Sequence, residues 1–197
     1  MRFDEAFGGL IPGARGAVLA ALLRTGAPLT GRQVYGLVRD QHSLWSVQQA
    51  LASLVGLGVV NSRTVGRARV HSINEDHYAI RPLRVLLDPV AALREAIRGV
   101  VGSNVDAVIL FGSVARGEAT ADSDVDLVVL ASPDWDGRTE LEDVVRARLG
   151  NDCDVLVFTP EDFRRLAASG EEPVVAEILA DGVVLLGTFP QAHGGAA

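Results

Sequence analysis

The sequence predicts a mixed α+β / α/β protein built from two modules, and three observations support this. Residues 1–85 carry 10 arginines against 5 acidic residues, whereas residues 86–197 carry 8 arginines against 20 acidic residues. Apolar residues follow helical spacing early in the chain and then give way to two short strand-like runs. After residue 86, helical and strand-like runs alternate. The change in charge indicates modules with different partners, and a polyanion is the partner expected for the first.

Three helices and a hairpin are predicted in the first module, over residues 1–80. The predicted helices are residues 15–25, 29–40 and 43–58, and the predicted strands are residues 59–65 and 67–73. Gly26 and Pro28 end the first helix, Thr30 and Ser43 are the N-caps of the other two, and the hairpin turns near Gly66. Residues 74–89 are interpreted as a connection between the modules.

The order of three helices and a hairpin is that of a winged helix-turn-helix. The segment "SVQQALASLVGLGVVNSRTVGRARVHSI" resembles the winged helix-turn-helix of bacterial transcription regulators. That resemblance implies DNA contacts from the third helix and the hairpin, and the candidate residues are Gln48, Gln49, Arg63, Arg67 and Arg69. Trp45 is expected to pack in the core or against a helix. The alternative role for this module is dimerisation or docking of a protein partner, and a homodimer formed through residues 1–85 is expected.

Helices and strands alternate in the second module, over residues 86–188. The predicted helices are residues 89–101, 138–149, 160–168 and 173–180, and the predicted strands are residues 106–112, 122–131, 152–158 and 182–187. Residues 189–197 are predicted to be a disordered tail. The single cysteine, Cys153, excludes an internal disulfide, and no apolar run approaches the roughly 20 residues of a membrane span. No signal peptide is predicted, so the expected location is cytoplasmic, with no membrane partner.

Two aspartates open the second strand of this module. Asp124 and Asp126 are two residues apart, so in a strand they share one face, about 6.6–6.8 Å apart along the chain. Carboxylates so close repel each other unless a cation neutralises them. Asp154, at the start of the next strand, is a candidate third ligand, with Asp152 as the alternative. Three carboxylates with room for phosphate oxygens suit Mg²⁺ (or Mn²⁺).

A glycine–serine turn follows the first strand of this module and precedes the strand that carries these aspartates. Gly112 allows the backbone to approach a phosphate closely, and Ser113 begins a short predicted helix whose amides and hydroxyl are phosphate donors. Arg116, one turn further on, is positioned to bind a phosphate through two hydrogen bonds. Gly112, Ser113 and Arg116 are therefore the candidate nucleotide-binding residues.

The spacing of these motifs resembles that of the polymerase-beta-like nucleotidyltransferases, especially their minimal bacterial and archaeal group. The resemblance is carried by "GSVARGEATADSDVDLVVL", "DCDVLVFTPEDF" and "EILADGVVLLG", and it covers about residues 88–188. It implies a mixed sheet flanked by helices, with Asp124 and Asp126 as metal ligands. It also implies that Asp154 is the third carboxylate and the base toward the acceptor. Asp122 is expected to be a turn residue and Glu118 a surface residue.

The resemblance implies an enzyme that transfers a nucleoside monophosphate from an NTP, with ATP expected, to a hydroxyl group, releasing pyrophosphate. The acceptor could be a protein, an RNA or a small molecule, and relatives of the minimal group often act in toxin–antitoxin systems. The alternative hypothesis is a DNA-binding transcriptional regulator in which the transferase-like module only senses a nucleotide.

Overall fold

A computed structural model describes residues 1–120 and 123–189. The chain divides into two compact units. The first unit is Glu5–Pro89, and the second contains Met1–Asp4 together with the chain from Val90 onward. Within the described residues, no helix combines the length and the apolar character that crossing a membrane requires.

The first unit is mainly helical and ends with a pair of strands and one further helix, whereas helices and strands largely alternate in the second unit. The helices are α1 (Gly13–Thr25), α2 (Gly31–Val38), α3 (Leu44–Gly56), α4 (Ile80–Leu86), α5 (Pro89–Arg98), α6 (Gly112–Ala115), α7 (Arg138–Leu149), α8 (Pro160–Ser169) and α9 (Pro173–Asp181). The strands are β1 (Leu29–Thr30), β2 (Val60–Val65), β3 (Ala68–Ile73), β4 (Val105–Phe111), β5 (Val125–Ala131), β6 (Cys153–Phe158) and β7 (Val183–Gly187). A short 3-10 helix, Ala6–Gly9, precedes α1.

The first unit packs three helices against a small antiparallel sheet of order β1-β3-β2. Thr30 caps α2 in a capping box with Gln33, and the Ser43 hydroxyl accepts from the Ser46 amide at the start of α3. Leucines and valines on the inner faces of α1 and α3 form the core of this unit. β2 and β3 pair from Val60 opposite Ile73 to Val65 opposite Ala68. Residues 61–69 of this hairpin are exposed, so the hairpin projects beyond that core.

Three features of the first unit differ from the sequence-based prediction. Residues 74–89 contain α4 in addition to connecting chain. Pro82 is compatible with this helix because it is the third residue of α4, in the first turn, where a missing amide costs no intrahelical hydrogen bond. Trp45 was expected to be packed and is instead 70% exposed on the first turn of α3. The two-residue strand β1 and the 3-10 helix are too short to leave a periodic pattern.

The second unit is built on a mixed four-stranded sheet of order β6-β5-β4-β7. β5 pairs antiparallel with β4 and parallel with β6, and α7 makes the crossover that a parallel pair requires. Alternate residues of the central strands enter two different apolar clusters. For example, Leu127 and Val129 lie in one cluster, and Val128 and Leu130 lie in the other. The sheet is therefore buried on both faces, and the predicted mixed sheet flanked by helices is confirmed.

The predicted tail is described only at its first residue. Phe189, the first residue of the predicted tail, packs against an apolar cluster of the second unit. The rest of that tail, residues 190–197, lies outside the described residues, as does Asp122.

Candidate active site

Strand pairing brings Asp126 and Asp154 side by side. Asp126 is the second residue of β5 and lies opposite Asp154 in the parallel β5–β6 register. On its other side Asp126 pairs with Phe111, the last residue of β4. Asp124 precedes β5 by one residue and is exposed. The ends of three strands thus meet at one edge of the sheet, and the predicted carboxylates all lie there.

The electrostatic environment of Asp126 is unfavourable to its charged form. Burial raises the pKa of the half-buried Asp126 carboxyl above its usual value, and the negative charges of Asp154, Asp124 and Glu177 raise it further. The positive charge of Arg116 acts in the opposite direction and is the smallest of these effects. The site therefore carries an excess of negative charge that a cation would relieve.

The structure distinguishes the two candidates for the third carboxylate. Asp152 is exposed and forms an ion pair with Arg146, 2.8 Å from the Nε atom to Oδ1. Its carbonyl oxygen accepts a hydrogen bond from the Val125 amide (2.9 Å). The backbone of Asp152 therefore pairs with the residue before Asp126 and not with Asp126 itself. Asp154, in contrast, lies in register with Asp126 and acts on its pKa. These contacts favour Asp154, although its role as a base stays a prediction.

Gly112 packs against the Asp126 carboxylate. Its φ is +67°, a left-handed conformation that favours glycine, and a Cβ built on it would lie 2.2 Å from Asp126 Oδ2. Gly112 begins α6, a single turn of four residues, one residue before the start at Ser113 that the sequence predicted. The side chain of Ser113, next in the chain, is half-buried. The left-handed φ of Gly112 and its short distance to Asp126 both mean that the turn can approach the carboxylate this closely only without a side chain at residue 112.

Arg116 caps the other end of this turn and is held by two glutamates. Its Nε atom donates to Glu118 Oε2 at 2.8 Å, and its NH1 atom donates to Glu177 of α9. Glu118 is largely exposed, as expected, but it is not free of contacts. Because a guanidinium has five N–H donors, the two glutamates fix its plane and leave further donors for a phosphate.

Two residues near the carboxylates were missed by the sequence analysis. Asn151 is only 5% exposed, and its Nδ2 atom donates to the carbonyl oxygen of Ser123 (3.1 Å), the residue before Asp124. Its Oδ1 atom accepts from the amino group of Met1 (2.5 Å). Glu177 lies 61 residues from Arg116 in the chain. Glu177 is the first residue of the segment "EILADGVVLLG" quoted above, but neither residue belongs to a periodic pattern that would assign it to the site.

The donor set fits a divalent cation in its chemistry. Asp124, Asp126 and Asp154 offer only carboxylate oxygens, which are the ligands that Mg²⁺ prefers, and their mutual repulsion is already felt at Asp126. Among residues 1–120 and 123–189, however, no three acidic, cysteine or histidine side chains lie together as a ready metal-binding group. The strands therefore place the three carboxylates at one edge, and the binding of a cation would need their side chains to turn toward one point.

The candidate DNA-binding residues all lie on the surface of the first unit. Gln48 and Gln49 are exposed on α3, Arg63 is exposed on β2, Arg67 is in the hairpin turn, and Arg69 is exposed on β3. The hairpin thus presents three arginines within seven residues. No acidic residue occurs between residues 59 and 73, so this segment is positively charged along its length.

We predict that Gly112→Ala will be more damaging than Gly117→Ala. Both glycines have a positive φ, but a Cβ at Gly117 meets nothing within 4 Å, whereas one at Gly112 meets the Asp126 carboxylate. Each variant loses roughly 1 kcal/mol or more of stability from backbone strain. Only Gly112→Ala should also displace Asp126 and lower nucleotide binding, as measured by titration of a fluorescent ATP analogue. Equal binding by the two variants would show that the close approach has no functional importance.

We predict that Asp126→Asn raises the melting temperature of the metal-free protein at pH 7. The pKa of Asp126 is raised in the folded state, so its charged form costs stability once the pH exceeds that pKa. The advantage of the variant should therefore shrink as the pH falls toward 4. Mg²⁺ or Mn²⁺ should stabilise the parent protein by mass action and should stabilise Asp126→Asn much less.

Asp106→Asn is the matched control for this experiment, because Asp106 is an exposed carboxylate on the neighbouring strand β4. It removes the same charge and should keep the full response to metal. An Asp126→Asn protein that melts below the parent and still responds fully to Mg²⁺ would show that Asp126 is not a ligand.

Comparison with solved structures gives several partial overlaps. A toxin–antitoxin complex with AMP-PNP matches with a TM-score of 0.38 and 22% identity, covering 50% of this chain and 73% of that one. A mutant MntA-HpeT toxin–antitoxin matches with a TM-score of 0.35 and 21% identity, covering 48% and 69%. A tri-AMPylated Shewanella oneidensis HEPN toxin in complex with MNT antitoxin matches with a TM-score of 0.33 and 20% identity, covering 50% and 73%. TM-scores below 0.5 are too low to assign a function.

The family comparison is more specific. No curated protein matches the sequence at a significant level. Residues 96–189 match the family described as polymerase beta, nucleotidyltransferase. That segment contains β4, α6, β5 and β6, and so the whole candidate site. The match supports a nucleotidyltransferase domain of the polymerase beta type at residues 96–189.

Proposed function

We propose that the chain transfers a nucleoside monophosphate from an NTP, with ATP the expected donor, to a hydroxyl group of an acceptor. The observation that carries this proposal is the pairing of Asp126 with Asp154 beside the close approach of Gly112. This arrangement places an excess of carboxylate charge beside a turn whose glycine has no side chain to block a phosphate. A site that binds Mg²⁺ and a triphosphate needs both properties.

In this proposal Asp124, Asp126 and Asp154 hold Mg²⁺ or Mn²⁺, which when bound would neutralise phosphate charge. Gly112 and Ser113 hold the triphosphate through backbone amides and the serine hydroxyl, and Arg116 binds a phosphate oxygen. The acceptor oxygen attacks the α-phosphorus and forms a new O–P bond. The bond from that phosphorus to the bridging oxygen breaks, pyrophosphate leaves, and Asp154 takes the proton of the hydroxyl.

The acceptor is proposed to be a macromolecule, and a role in a toxin–antitoxin system is proposed with it. This follows from the resemblance of the Gly-Ser and Asp-x-Asp motifs to the minimal nucleotidyltransferases. A protein side chain and an RNA end both present hydroxyl groups that meet the same chemical need, and the site described above is exposed at Asp124 and Asp154. An open site is compatible with an acceptor too large to enter a closed cavity.

The transfer is tested by incubating the protein with Mg²⁺, α-labelled NTPs and cell lysate, followed by separation of proteins, RNA and small molecules. Label should appear in one fraction with the parent protein and fall at least a hundredfold with Asp124→Ala plus Asp126→Ala. Asp106→Ala on β4 is the control and should leave transfer unchanged. If no NTP gives transferred label with the parent protein, the transferase proposal fails.

A second function is favoured by the hairpin of the first unit. We propose that this unit is a winged helix-turn-helix that binds DNA, because Arg63, Arg67 and Arg69 project from its hairpin into solvent. Such arginines bind phosphates or enter a minor groove. The glutamines of α3 would then read bases, and a homodimer through residues 1–85 would match paired half-sites. In this alternative the second unit only senses a nucleotide.

DNA binding is tested with the full chain and duplexes of several sequences at increasing salt. Arg67→Ala should weaken binding similarly for all sequences and reduce the slope of log K against log salt by about 1. Arg81→Ala, an exposed arginine of α4, is the control and should have little effect. Binding that does not respond to salt, or no binding at low salt, would eliminate this alternative. The oligomeric state follows from the mass of the same samples in solution.

A further inference from the structure

The first unit contains a hollow that neither proposed function uses. Its volume is about 630 Å³, within the range of small-molecule sites. Leu19, Leu54 and Val59 form its floor and are at most 8% exposed, so the hollow reaches the core of the unit. Leu10 and Leu57 form its walls, and they are 68% and 58% exposed. Large apolar side chains this exposed, above an apolar floor, leave a surface that water covers poorly.

One cation stands at this hollow. Arg15, on the first turn of α1, is the only charged residue among those that line it in the described structure. No acidic side chain within residues 1–120 and 123–189 forms an ion pair with Arg15, and its side chain is exposed. The hollow therefore combines an apolar interior with one uncompensated positive charge, the complement of a molecule with an apolar body and one negative group.

The segment that forms one wall is strained. Phe7 is completely buried and has φ 58° and ψ 27°, a left-handed conformation that is rare and costly for a bulky side chain. It lies in the 3-10 helix Ala6–Gly9, and Leu10, the residue after that helix, lines the hollow. Burial of the Phe7 ring holds this backbone in place. Strained backbone of this kind occurs often at ligand-binding segments.

We propose that the hollow is a binding site for a small amphipathic acid, with its apolar body on the leucines and its carboxylate on Arg15. A second copy of the chain is a poorer occupant. A two-fold dimer through this surface would bring Arg15 close to Arg15 of the other copy, and the lining offers no acid to separate the two charges. A small acid satisfies the arginine and fills the volume. A ligand bound there would contact α1 and α3. It would therefore change the orientation of these two helices of the first unit.

The test uses the full chain and the fluorescent anion anilinonaphthalene sulfonate, with decanoate and decanol as competitors. The parent protein should bind the probe saturably at one site, and decanoate should displace it. Leu57→Glu should abolish binding, because it places a like charge in the wall. Leu37→Glu is the matched control: Leu37 is also 58% exposed, but it lies on α2 and does not line the hollow.

Arg15→Gln should weaken decanoate binding roughly threefold to tenfold and leave decanol unchanged, as expected for loss of one exposed charge-assisted contact. Arg24→Gln, on the same helix but outside the hollow, should change neither. Absence of saturable binding, or binding that survives Leu57→Glu, would overturn the proposal. It would also be overturned if Leu57→Glu, but not Leu37→Glu, converted a dimer into a monomer, since a second copy would then be the occupant.

Discussion

The pairing of β5 with neighbours of opposite direction determines where the candidate site lies. β4 runs antiparallel to β5, so the end of β4 meets the start of β5. β6 runs parallel to β5, so the two strands start together. Gly112, Asp126 and Asp154 meet only because both pairings occur on one strand. A shift of one residue in either register would turn a carboxylate toward an apolar cluster.

The like charges at the site lower the stability of the folded chain, and the sheet has to compensate for this loss. Asp126 is half-buried among like charges, and Arg116 offsets only part of this, since two glutamates also hold its guanidinium. The sheet beneath is apolar on both faces and extends through two clusters, which is where the compensating stability comes from. Sites that need unfavourable charge arrangements are commonly supported in this way by a core that has no role in the chemistry.

Local patterns predicted the elements well and their relations poorly. The runs that became β4, β5 and β6 are short and apolar, and each predicted run begins with an aspartate, so their identity was evident. Asp152 and Asp154 remained indistinguishable because they are two residues apart and share a face, and only the strand register separates them. Glu177 and Asn151 reach the site through tertiary packing, which leaves no periodic trace. The helix α4 was not predicted, although it accommodates Pro82, because the effect of a proline depends on its position within a helix.

The only thiol of the chain lies inside the sheet, at the first residue of β6. Cys153 is 6% exposed, and burial raises its pKa to about 12, helped by the charges of Glu142 and Asp154. At neutral pH such a thiol is almost entirely protonated and shielded from reagents. Thiol reagents should therefore react very little with the native chain. Two cysteines introduced at exposed positions such as Leu37 and Arg67 could carry the only spectroscopic labels, and a distance within the first unit could then be measured without removing a native residue.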